Sequence, residues 1–237
     1  MSDENDIKRL YLGPSTTAHL FKLSQPMIDY LWERIDVAKR KKISLKNVLA
    51  GHISHSYKLE DPQNLIIQNI LDKLYNSDSE IENEIHRVYK KIENKNNAQL
   101  EPYLRNFWVN FQKKGEFQPL HNHTGVFSFV IWMDIPYDYK DESKLNFAKS
   151  NCKDSPGGNF SFVYSDDVSR AVSDYFIKLS PSMNGYCCLF PSDLIHHVYP
   201  FYTSDKDRIS ISGNIVFEME DSSEQRSQQF PFIVFNT

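Results

Sequence analysis

The chain has 237 residues, 40% hydrophobic and 24% charged, a composition that excludes a disordered or fibrous polymer. Its formal net charge of −4 argues against a surface that binds nucleic acid by electrostatics. The three cysteines Cys152, Cys187 and Cys188 show no Cys-x-x-Cys spacing, the charged opening MSDENDIKRLYLG has no signal-peptide core, and no apolar run nears the roughly 20 residues that span a bilayer, so a soluble, cytoplasmic protein is expected.

The texture predicts one domain: 1–100 mostly helical, 101–217 a jelly-roll core, and 218–237 a tail that docks back on that core. Behind Ser24-Gln25-Pro26, the spacing of Met27, Tyr30, Leu31 and Ile35 predicts a first helix. It ends in the run Lys39–Lys42, whose cations suit a helix C-terminus. Leu65, Ile66, Ile70, Leu71 and Leu74 form a stripe that predicts a second helix over 62–76. A third is expected over 79–93, followed by a polar loop at 94–99. Short β-branched or aromatic runs then predict strands at 104–111, 126–133, 159–164, 186–190 and 209–217, separated by turns such as Lys114-Gly115 and Asn184-Gly185. Strands in such succession predict a sandwich or jelly roll.

Four of the eight histidines cluster, as His121-Asn122-His123 and His196-His197. Residues i and i+2 of an extended segment share a face, so His121 and His123 can meet on one metal while Asn122 points away. By the same rule His196 and His197 face opposite ways, and only one joins the site. Downstream, Arg208, Ser210, Ser212 and Asn214 fall on one face of the last strand, with Ile209, Ile211, Ile215 and Phe217 on the other. An arginine and a serine two apart on a pocket face suit a carboxylate, which the guanidinium meets with paired donors. Asn110 shares a face with Trp108 and Gln112 and is a candidate for a second carboxylate contact. The thiols of Cys187 and Cys188 read as buried and inert.

These residues, taken with Asn106–Phe111, Gln118–His123, Ser128, Trp132, the run from Phe190-Pro191-Ser192 to Pro200 and Arg208–Asn214, resemble the iron(II)- and 2-oxoglutarate-dependent oxygenases, in particular those carried in phage and marine bacterial genomes. The resemblance covers about the C-terminal half. It implies a mainly β fold with N-terminal helices, built on a cupin-like double-stranded β-helix (jelly-roll) core. It also implies iron(II) held by His121, His123 and His196, and the far carboxylate of 2-oxoglutarate held by Arg208 with Ser210; Asn110, from its strand face, is the candidate for the metal-proximal carboxylate. The partners implied are O₂ and an unidentified small-molecule or peptide substrate, which is hydroxylated with release of succinate and CO₂.

One departure stands out. The family's usual second ligand is Asp or Glu, and this chain has His123 there. Asp193 and Asp134 are spare carboxylates. Two other readings stay open: a three-histidine, cupin-type dioxygenase that needs no 2-oxoglutarate, and a non-catalytic jelly roll used for binding or assembly.

Overall fold

Every strand expected beyond residue 100 forms, within four residues of its expected ends. The computed structural model describes residues 7–12, 16–77, 100–148, 156–165 and 171–219. Chain order is β1 (Lys8–Tyr11), β2 (Thr17–Lys22), α1 (Gln25–Lys41), β3 (His55–Lys58), α2 (Leu65–Ser77), β4 (Leu100–Gln112), β5 (Gln118–His121) and β6 (Phe127–Asp134). There follow α3 (Tyr139–Glu142), β7 (Phe160–Ser165), β8 (Val172–Ile177), β9 (Tyr186–Pro191), β10 (His196–Val198) and β11 (Arg208–Met219). Two antiparallel sheets result, a seven-stranded one in the order β1-β2-β9-β6-β11-β4-β3 and a four-stranded one in the order β5-β10-β7-β8.

Strand β6 shows why the layers stack as they do. Phe127, Phe129, Ile131 and Met133 join a core cluster with α1 and α2, whereas Val130 and Trp132 join a second cluster shared by the two sheets. Alternate residues of one strand thus bury on opposite faces, and the seven-stranded sheet lies between helices and the smaller sheet. Helix α1 presents Met27, Leu31, Ile35 and Ala38 to the first cluster. It stops at Lys42, whose left-handed backbone (φ 51°) lets its N–H reach Ala38 O at 2.8 Å. The basic run belongs to this helix end: Lys41 pairs with Glu60 at 2.6 Å, and Lys39 lies 5.1 Å from the Phe111 ring centre.

Two departures from expectation concern the N-terminal part. Among its described residues it is not mostly helical, because β1, β2 and β3 extend both edges of the large sheet. Each has only four to six residues, too few for a readable period, and register with a neighbouring strand (β1 on β2, β2 on β9, β3 on β4) decides their conformation. Helix α2 begins at Leu65 rather than at 62, because the Asp61 carboxylate accepts from Leu65 N (3.2 Å) and Ile66 N (2.9 Å) and caps it there. The expected third helix at 79–93, the loop at 94–99, Cys152 and the tail from 220 onward lie outside the described residues. Among the described residues, no helix is long and apolar enough to cross a membrane.

Candidate metal centre

The polar row anticipated on the last strand lines a cleft between the sheets. Cross-strand register sets Arg208 opposite Gln112, Ser210 opposite Asn110 and Trp132, and Ser212 opposite Trp108. Directly opposed residues share a face, so these side chains form a patch on the inner side of the large sheet. Arg208, Ser210, Ser212, Gln112 and Trp108 line a cleft of about 450 Å³, counting the space open to solvent at its mouth. The apolar reverse face of β11, with Ile211 and Ile215, packs into the helix-side core.

The three histidines meet at the same cleft. β5 and β10 of the small sheet pair His121 directly with His196, and His123 follows on the turn after β5. Ring centres are 4.2 Å apart for His121 and His196, and 5.0 Å from each of these to His123. One ring nitrogen from each lies within 4.8 Å of the others, a spacing suited to one metal ion. Among the described residues, this is the group of metal-type ligands that converges in this way.

Their tautomers are partly fixed. His121 Nδ1 lies 2.7 Å from Pro119 O, and His196 Nδ1 lies 2.9 Å from Leu194 O. A carbonyl only accepts, so both Nδ1 atoms carry the proton and both Nε2 atoms keep a free lone pair. Burial lowers the pKa of His121 and lowers that of His196 well below the usual value, with neighbouring histidines adding to the effect at His196. Burial, then repulsion from His121, pushes His123 down to about 3. Three neutral imidazoles with exposed lone pairs fit a divalent transition metal such as iron(II).

His197 turns to the outer face, as alternation requires, where its Nε2 stands 3.7 Å from Asp174 Oδ1. The spare carboxylates do not join: Asp193 is exposed, and neither it nor Asp134 belongs to the histidine group.

Arg208 lies at the other end of the patch and is 2% exposed. Its Nη1 donates to the Tyr137 hydroxyl and to Gly158 O (2.9 Å), and its Nη2 to Gln112 Oε1 (2.5 Å) and Tyr199 O (3.4 Å). The Tyr137 and Phe201 rings flank it, each 5.7 Å from the guanidinium carbon. Among the described residues, none of its hydrogen-bond partners is a carboxylate. A buried cation held only by neutral acceptors favours an anionic ligand, because its desolvation is otherwise uncompensated. Asn110 has its expected face, but it is not among the cleft-lining residues, and its Oδ1 accepts from Ser56 Oγ at 2.6 Å.

Sequence reasoning missed the pocket around the guanidinium. Gln112 was readable from its shared face with Trp108 and Asn110. Tyr137 and the carbonyls of Gly158 and Tyr199 lie in irregular segments that carry no periodic signal.

Residues 106–214 match the sequence profile of the family described as "Putative 2OG-Fe(II) oxygenase". No curated protein matches the chain at a significant level. Among solved structures, the chain is similar to a prolyl-4-hydroxylase from Pseudomonas putida, at 12% identity and a TM-score of 0.48, over 87% of this chain and 94% of that one. It is similar to the viral collagen prolyl hydroxylase of Paramecium bursaria Chlorella virus-1, at 13% identity and a TM-score of 0.43, over 84% and 94%. It is also similar to HygX of Streptomyces hygroscopicus, solved with nickel and 2-oxoglutarate, at 10% identity and a TM-score of 0.41, over 85% and 82%. The three histidines and Arg208 all fall inside the matched segment.

Proposed function

We propose that this protein is a hydroxylase in which His121, His123 and His196 hold iron(II), and Arg208, with Ser210, receives the far carboxylate of 2-oxoglutarate. When bound, iron(II) and 2-oxoglutarate supply an oxidative decarboxylation coupled to insertion of one oxygen atom into a substrate C–H bond, with release of succinate and CO₂. The observation that carries this reading is the buried guanidinium, which has only neutral partners among the described residues and lines the same cleft as the three imidazoles.

The chain's own residues do three things in this account. Pro119 O and Leu194 O hold His121 and His196 in the Nδ1–H tautomer, so each presents a lone pair without reorganising. Arg208 offers a fork whose contact to Tyr199 O is already long at 3.4 Å, so one donor is readily readdressed to an incoming carboxylate. Aromatic walls such as Phe160 and Phe190 keep the cleft low in dielectric, which strengthens both interactions. His123 in place of a carboxylate leaves the ligand set neutral. With the Arg208 guanidinium counted, iron(II) and a dianionic keto acid then leave one positive charge that a carboxylate ligand would have cancelled. O₂ and a small molecule or peptide complete the reaction.

Formation of succinate from 2-oxoglutarate, dependent on both iron(II) and O₂, tests the reading. Turnover by the wild type that is lost in His196→Ala and reduced in Arg208→Ala is expected. The all-imidazole ligand set favours a second reading, a dioxygenase that binds its substrate directly on iron. That reading predicts iron binding and no succinate.

A further inference from the structure

His121 and His196 have carbonyl anchors for their rings, whereas the His123 ring, among the described residues, has ring neighbours: the other two imidazoles at 5.0 Å and Trp108 at 5.8 Å. The backbone of His123 is held instead. His123 N donates to Ser192 O at 2.7 Å, Ser192 N donates to Val126 O at 3.1 Å, and Val126 N donates to Ile215 O at 2.9 Å. The turn that carries His123 is thereby stitched to Ser192 and to β11. Gly125 in that turn has φ +135°, and a Cβ there would stand 3.0 Å from Ile215 O and 3.2 Å from Ser192 Oγ. The turn presses directly on the Ser192 hydroxyl.

That hydroxyl begins a buried chain. Ser192 Oγ lies 2.9 Å from Ser128 Oγ, and Ser128 Oγ donates to Asn214 Oδ1 at 2.8 Å. Ser128 has one proton and gives it to Asn214, so Ser192 must donate to Ser128, and the direction of the chain is set. Ser128 and Asn214 are cross-strand partners on β6 and β11, and all three residues are 1% exposed. The arrangement tolerates a buried donor, Asn214 Nδ2, with no partner among the described residues. An apolar trio of similar shape would avoid that cost.

We propose that Ser192, fixed through Ser128 to Asn214, is a positioning residue for His123, setting whether the third imidazole reaches the metal. Ser192 is suited to the task, since it bonds the His123 turn and precedes His196 by four residues. The inference rests on the reading of the three histidines as one metal site. A supporting contact of this kind is worth about 10-fold or more in metal affinity.

The test is cobalt(II) titration of the metal-free full chain, following the visible d–d bands for affinity and ligand set. Ser192→Ala is expected to bind cobalt about 10-fold more weakly than wild type. In a His123→Ala background the same change should have no further effect, because the residue it positions is gone. Ser128→Ala breaks the chain from the other side and should reproduce the loss, which guards against a Ser192 variant that folds poorly. Wild-type affinity in both serine variants overturns the proposal, as does an equal loss with and without His123. Failure of the wild type to bind cobalt overturns the metal-site reading itself, and the proposal with it.

Discussion

His121 and His196 are cross-strand partners in the small sheet, with ring centres 4.2 Å apart and each Nδ1 tied to the carbonyl two residues before it. The same local contact is thus used twice to aim two imidazoles at one point. Both residues should therefore be indispensable. His121→Ala or His196→Ala should abolish iron(II) or cobalt(II) binding in isothermal titration, whereas His123→Asp should keep it, since a carboxylate supplies the family's usual ligand. Loss of binding in His123→Asp that equals the loss in His196→Ala would contradict this ordering.

Arg208 is the second pillar. Lysine keeps the charge and loses the planar fork. Arg208→Lys should raise the Kd for 2-oxoglutarate at least about 10-fold, since one charge-assisted hydrogen bond contributes roughly 1.5–3 kcal/mol. Metal affinity measured without keto acid should stay within about 2-fold of wild type. An unchanged keto-acid Kd would remove Arg208 from the site.

Gly158 offers a way to disturb Arg208 without touching it. Its carbonyl accepts from Arg208 and Tyr137, its φ is +72°, and an added Cβ would lie 2.6 Å from Tyr137 Cε2. Gly158→Ala should cost about 2 kcal/mol or more of unfolding free energy in urea titration. It should also weaken 2-oxoglutarate while leaving cobalt(II) affinity intact. Equal loss of both ligands would mean that the two ends of the cleft are not separable.

The histidines make the metal-free protein acid-sensitive. His123 titrates at about 3 in the fold against 6.5 for a free imidazole, so between those values only the unfolded chain takes up the proton. Stability is complete above pH 6.5 and falls as the pH drops toward 3, by about 1.4 kcal/mol per pH unit for each histidine that stays neutral. His121 and His196 shift in the same direction. Unfolding free energy measured from pH 7.5 to 5 should decline below 6.5, and His123→Ala should decline less steeply. Parallel profiles for the two proteins would contradict the assignment.

Much of the site was legible because it rests on period-2 alternation. His121 with His123, His196 rather than His197, and the row Arg208, Ser210 and Ser212 all follow from which residues share a strand face. The long strands β4, β6 and β11 were legible for the same reason. The three-residue β10, the outer strands β1, β2 and β3, and the Tyr137–Gly158 pocket were not, because long-range pairing fixes them and no local pattern does. The Ser192–Ser128–Asn214 chain joins residues 86 positions apart, so only the fold brings it together.

The most direct test of the account is an anaerobic titration of the metal-free protein with iron(II) and 2-oxoglutarate, watched for the weak visible charge-transfer band of a chelated keto acid. The account predicts a band that saturates in the wild type, needs far more 2-oxoglutarate in Arg208→Lys, and is absent in His196→Ala. Iron binding without any band would contradict it and favour a dioxygenase that binds its substrate directly on the metal.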